Sequence, residues 1–173
     1  VEGEVELIKP KRALGVDINY SNITLSDGTR IELTAFRRAF QLKIQAEKIQ
    51  KRHRRSWRYI RAMRARIRAL GARARHVIED ACRKAANLVM SRAFEARAAI
   101  ILEDLRGLEL ATKKKRRRWR VQLTLWAYRE LQRWIAWKAE LAGVPVFKVS
   151  PKGTSTTCPR CGSKLTANGY RRL

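Results

Sequence analysis

Acidic residues are scarce in this sequence. Its 173 residues carry 15 Asp and Glu against 40 Lys and Arg, a formal net charge of +25. A field of that size attracts polyanions and opposes compaction of the chain itself. Solubility of a small domain needs a net charge of only about 2–8 in magnitude, so nucleic acid is the natural partner. The competing reading is a solvated, arginine-rich surface on a protein from a hot organism. An anionic membrane surface fits less well, because the basic helices also carry coiled-coil seams suited to helix partners. Long apolar runs are missing too. No stretch reaches the roughly 18 uncharged apolar residues of a membrane span, and Val1-Glu2-Gly3-Glu4 does not read as a signal peptide. There are only three cysteines, two of them in one Cys-x-x-Cys. That suits a reducing compartment and a metal better than a disulfide framework. No Cys or His follows Cys161, and no Asp or Glu follows Glu140.

What is present suffices for one good core, and 45% hydrophobic residues argue against wholesale disorder. Residues 13–33 read as a meander of up to three antiparallel strands. Ala13 to Ile18 is an apolar strand interrupted by Asp17. Asn22 to Ser26 alternates, Asp27-Gly28 is a hairpin turn signal, and Thr29 to Leu33 returns. From about Thr34 the period changes. Leu42, Ala46, Ile49, His53, Ser56, Ile60, Met63, Ile67 and Leu70 recur at spacings of four and three, a heptad seam on one long helix. Gly71 is the expected break. A second helix shows Ile78, Cys82, Ala85, Val89, Ala93 and Ala96 on one face, and the two form an antiparallel hairpin. His53 and Ser56 are expected as a polar layer between the helices, and Cys82 as a small core residue.

Arginines crowd the outer faces of this hairpin: Arg52, Arg54, Arg55, Arg58, Arg61, Arg64, Arg66, Arg68, Arg73 and Arg75. Trp57 and Tyr59 lie among them, either to stack on bases or to pack on the helix surface. Ala99 to Leu102 is a second apolar strand, closed by Glu103-Asp104. Six consecutive cations follow, Lys113, Lys114, Lys115, Arg116, Arg117 and Arg118. Such a run is either a solvated loop or a loop that contacts phosphates. A helix from roughly Arg118 to Ala142 carries a broad apolar stripe of Trp119, Leu123, Trp126, Leu131, Trp134, Ile135 and Leu141. Gly143 is its expected C-cap. Val144 to Val149 is the next strand, which makes a parallel crossover. The fold class is α/β with a long helical insertion between strands.

Two carboxylates stand out. Asp17 lies inside an apolar strand, and Glu103 ends one. A bare carboxylate among Val, Ile and Leu is costly to bury unless it is paired or metal-bound. Two on one sheet can converge on Mg²⁺ or Mn²⁺, which prefer oxygen ligands. Two such ions, about 3.5–4 Å apart, would clamp the attacking and leaving oxygens of a phosphodiester. The other reading has Asp17 capping a turn with Asn19, and Glu103 or Asp104 paired with arginine. At the other end, Cys158-Pro159-Arg160-Cys161-Gly162 is a zinc-knuckle sequence. It supplies two ligands where structural zinc takes four.

Together these motifs resemble the transposon-encoded TnpB (OrfB) proteins, relatives of the compact type V CRISPR effector nucleases. Val16-Asp17-Ile18 with Thr24 to Gly28 is similar to the first motif of a RuvC-like nuclease domain, and Ile101 to Leu105 to the second. Lys138 to Val146, Val149-Ser150-Pro151 and Thr154 to Gly162 carry the likeness to the family's tail, the most specific part. The resemblance covers nearly everything from Ala13 onward. It implies an RNase H-like (RuvC) mixed sheet over residues 12–149, with a helical hairpin inserted at about 35–98. Residues 1–11 would end a nucleic-acid-binding region, and 150–173 would begin a truncated zinc ribbon. It implies metal-dependent DNA cleavage directed by a guide RNA, in the prokaryotic cytoplasm at the nucleoid. The partners are guide RNA and target DNA, with no membrane and no small-molecule substrate. Asp17 and Glu103 fall on the first and second catalytic carboxylates, as ligands of Mg²⁺ or Mn²⁺. Cys158 and Cys161 fall on the first pair of Zn²⁺ ligands. The third carboxylate and the second Cys-x-x-Cys are expected after Leu173, so the chain reads as a nuclease core cut at both ends. The alternative is a catalytically inactive remnant that only binds RNA or DNA.

Overall fold

The computed structural model describes residues 7–19, 21–104, 119–150 and 161–164, with side chains of the last helix from Ala127 onward. Five strands form one mixed sheet in the order β3-β2-β1-β4-β5. They are β1 (Arg12–Ile18), β2 (Asn22–Leu25), β3 (Arg30–Glu32), β4 (Ala98–Glu103) and β5 (Val146–Val149). The first three make the expected antiparallel meander. Its tight turn works because Gly28 takes φ +87, a left-handed conformation costly to other residues, and Thr29 donates its backbone N–H to Asp27 Oδ1 at 2.8 Å. β4 runs parallel to β1, and β5 parallel to β4.

Among the described residues three long helices join the strands: α1 (Ala35–His53), α2 (Arg61–Glu95) and α3 (Trp119–Leu141). The core lies between one sheet face and these helices. Leu14, Val16, Ile23, Leu25, Ile100 and Leu102 come from the sheet, and they meet Phe36 and Phe40 of α1, Ile78, Cys82 and Val89 of α2, and Leu131 and Ile135 of α3. The guanidinium of Arg83 sits 4.5 Å over the ring of Trp134, tying α2 to α3. The Arg92 side chain reaches from α2 to Asp27 at 3.3 Å and to Thr29 Oγ1 at 3.0 Å, tying α2 to the first hairpin. Gly143, at φ +67, ends α3 as expected.

The helical hairpin is present, but its bend is not at Gly71. α2 runs unbroken through Gly71, and the chain reverses between Arg54 and Ile60. A helix-interior glycine costs only about 1 kcal/mol. Burial of Ala74, Ile78, Cys82 and Val89 along the same helix outweighs that cost. At the true bend, Arg54 adopts φ +37, Ser56 Oγ donates to the His53 carbonyl at 2.6 Å, and Ser56–Arg58 forms a 3-10 turn. The basic last turn of α1, Lys51, Arg52 and His53, suits a helix C-terminus. His53 and Ser56 therefore shape the elbow rather than form a polar layer inside the hairpin. Ile60 and Ala96, expected in the seams, are exposed, and so is Leu141, which is 59% exposed at the end of α3. Ile60 and Ala96 are the two caps of α2, and Leu141 is the last residue of α3. Trp119, Leu123, Trp126, the cations 113–118 and Cys158 fall outside the residues whose side chains are described.

Candidate functional site

Strand alternation separates the two faces of the sheet. Val16 pairs with Leu25 on one side and with Leu102 on the other, and all three are buried in the core. The residues between them point away from the helices. Asp17 lies opposite Thr24 of β2, and the parallel register that pairs Val16 with Leu102 brings Asp17 level with Glu103. Asp17, Thr24, Ser26, Ile101, Glu103 and Val149 line one concavity of about 310 Å3 on the face turned away from the described helices. The two carboxylates singled out in the sequence are thus brought together by neighbouring parallel strands.

Three local contacts hold this arrangement. Asn19 donates its side-chain amide to Asp17 Oδ2 at 2.9 Å. The cap by Asn19 is therefore real, and it takes one of about four acceptor positions on the carboxylate. It leaves Asp17 able to bind a second partner. Gly15 and Ser26 are joined twice: the Gly15 N–H donates to Ser26 Oγ at 3.0 Å, and the Ser26 N–H donates to the Gly15 carbonyl at 2.9 Å. Gln132, buried on α3, donates its amide to the backbone carbonyl of Glu103 at 2.7 Å. Sequence reasoning missed Gln132. The available signal was one uncharged polar residue in the buried stripe between Leu131 and Ile135.

The donor set fits a hard cation. Among the described residues, two carboxylates and two hydroxyls, Thr24 and Ser26, face the concavity, and neither histidine nor cysteine lines it. Among the described residues no group of three or more His, Cys, Asp or Glu could hold a metal. Cys161 lies on the surface with its Sγ 2.9 Å from Ser163 Oγ. Its expected zinc partner Cys158 lies outside the described residues.

The cationic surface lies elsewhere. Arg52, Arg54, Arg55, Arg58, Arg61 and Arg64 are all exposed around the elbow, as are Arg66, Arg68, Arg73 and Arg75 further along α2. Among the described residues no helix is long and apolar enough to cross a membrane.

Comparison with known proteins gives consistent results. Residues 128–173 match the family described as Cas12f1-like, TNB domain. The chain is 31% identical over 179 aligned positions to a TnpB-like protein of Methanocaldococcus jannaschii, a match covering 97% of the chain. It spans 64% of that relative's length. A shorter match, 47% identical over 43 residues, links 25% of the chain to 10% of the CRISPR-associated endodeoxyribonuclease Cas12f1 of Sulfoacidibacillus thermotolerans. The fold is shared with a CRISPR-Cas12f ternary complex solved by cryo-EM, at a TM-score of 0.61 and 20% identity, over 94% of this chain and 33% of that one. A second such structure, a Cas12f1-sgRNA-target DNA complex, gives a TM-score of 0.60 at 17% identity, over 96% and 35%.

Proposed function

This chain belongs to the TnpB family, related to the type V CRISPR effectors, and on that premise we propose that it carries the RuvC-like, RNase H-like nuclease core of an RNA-guided DNA endonuclease. The observation that carries the proposal is the placement of Asp17 and Glu103, each next to the Val16–Leu102 pair of β1 and β4, in one concavity. Asp17 and Glu103 would hold Mg²⁺ or Mn²⁺. A divalent ion there supplies activated water and stabilises charge on the phosphate under attack. The chain's own part is positional. Asn19 fixes the orientation of the Asp17 carboxylate, and Gln132 fixes the strand end that presents Glu103. Two-ion sites need more than two carboxylates, so Asp17 and Glu103 form part of the ligand set.

The partners would be guide RNA and target DNA. The arginines of the hairpin, from Arg52 to Arg75, would hold the nucleic-acid backbone by charge rather than by base sequence. Lys113 to Arg118 would add phosphate contacts. Cys158 and Cys161 would supply one ligand pair of a structural Zn²⁺ ribbon beginning near residue 150.

Iron-mediated backbone cleavage tests the site in this chain as it stands. Fe²⁺ bound in place of Mg²⁺ generates hydroxyl radicals in the presence of ascorbate and peroxide. Protein fragments ending near residues 17 and 103, suppressed by excess Mg²⁺, are the expected result. Cleavage confined to other positions would count against the assignment.

A further inference from the structure

The elbow between α1 and α2 offers something the charge argument alone does not require. The backbone there is fixed by its own bonds. Ser56 Oγ donates to the His53 carbonyl at 2.6 Å, and the backbone N–H groups of Tyr59 and Ile60 both donate to the Ser56 carbonyl, at 3.0 and 3.2 Å. Arg54 holds φ +37, a left-handed conformation that a residue with a Cβ adopts only at a cost. This ordered bend borders a shallow, open concavity of about 440 Å3, lined by Glu47, Gln50, Lys51, Arg54, Trp57 and Arg58. Small-ligand sites begin at roughly 300 Å3.

The aromatic residues at the bend differ in how they are covered. Trp57 is half-buried, with the guanidinium of Arg58 4.9 Å from its ring centroid. Tyr59 is 83% exposed. Packing on the helix surface therefore does not account for Tyr59. An ordered aromatic ring offered to solvent among cations is the arrangement that binds unpaired bases by stacking and their backbone by charge. Glu47 and Gln50 sharpen the reading. A carboxylate in the lining repels phosphate, but it accepts hydrogen bonds from the amino groups of a base edge.

We propose that the elbow is a docking platform for an unpaired nucleobase of single-stranded nucleic acid. The base stacks on the exposed ring of Tyr59, while Arg54, Arg58 and Lys51 hold the flanking phosphates and the concavity beside Glu47 and Trp57 takes the edge of an adjacent base. This rests on the nucleic-acid-binding reading above and adds the strand type that the elbow selects.

The test measures affinity of the 173-residue chain for single-stranded RNA, single-stranded DNA and a DNA duplex across a salt series, by fluorescence anisotropy. Tyr59→Ala should weaken single-strand binding by about five- to a hundredfold, leave the slope against log salt unchanged, and leave duplex binding unchanged. Tyr59→Phe, which keeps the stacking face, should restore single-strand affinity. Arg58→Ala should instead reduce the salt slope. Loss on RNA and DNA strands alike, or on one of them alone, supports the platform and shows which strand it serves. Unchanged single-strand affinity in Tyr59→Ala would overturn the inference while the broader reading stands. So would an equal loss on duplex, or a loss in Tyr59→Phe as large as in Tyr59→Ala. Absence of salt-dependent binding by the unaltered chain would overturn both.

Discussion

The side-chain amide of Gln132 donates to the backbone carbonyl of Glu103 at 2.7 Å. It joins a helix on the core side of the sheet to the strand end that presents a carboxylate on the other side. Gln132 is buried and the bond part-buried, so its loss leaves the carbonyl without this partner. Gln132→Leu should destabilise the chain by about 1–3 kcal/mol in urea unfolding. It should also weaken divalent-ion binding, because the end of β4 loses its anchor. Full stability in Gln132→Leu would show that the hydrogen bond is dispensable.

Gly71 lies in the interior of α2, and a Cβ added there would meet Lys43 Nζ at 3.6 Å, an ordinary contact. Glycine in a helix interior is costly because the unfolded chain is freer. Gly71→Ala is therefore expected to raise stability by about 0.5–1 kcal/mol. A destabilised variant would indicate that the hairpin packs more tightly at that level than it does here.

Cys82 is fully buried on α2, and its thiol lies 3.6 Å from the Ala127 carbonyl of α3. Burial, and then the carboxylates of Glu130 and Glu79, push its pKa up to about 12. An unfolded thiol titrates near the ordinary value of 9.0. Above that value the unfolded state loses its proton and the native state keeps it. The contribution of Cys82 to stability is thus complete below about pH 9 and falls as pH rises towards 12. In the native chain at about pH 8 it should resist thiol reagents until denaturant is added. Prompt labelling of Cys82 without denaturant would contradict its place in the core.

The elbow arginines should govern binding through the salt slope. Replacing Arg52 and Arg55 together by alanine is expected to lower affinity for any nucleic acid. The slope against log salt should fall by up to about 2, roughly 1 for each phosphate that is no longer neutralised. Binding that is insensitive to salt would defeat the electrostatic argument.

Much of this was legible in the sequence, for identifiable reasons. The meander could be read because Asp27-Gly28 encodes one tight turn, and because alternation fixes which residues enter the core. The crossover could be read because Gly143 stops α3 directly before an apolar strand. Convergence of Asp17 and Glu103 was one of two open readings of carboxylates at apolar strands, and the parallel register of β1 and β4 brings the two side by side. The bend at Arg54 was not legible. No glycine or proline marks it, and a heptad pattern runs across it. It exists because a serine hydroxyl closes the end of α1 and the packing of α2 continues through Gly71. Gln132 was missed for a related reason: its partner is a backbone carbonyl 29 residues away, which no side-chain pattern reveals.

The central claim is that Asp17 and Glu103 hold one divalent-ion site. Electron paramagnetic resonance of free Mn²⁺, titrated with the chain, measures it directly. Mn²⁺ should be taken up in competition with Mg²⁺. Asp17→Asn and Glu103→Gln should each weaken that uptake by at least about tenfold, and the double variant should do little more, as expected for ligands of one site. Uptake that survives in both single variants would contradict the account.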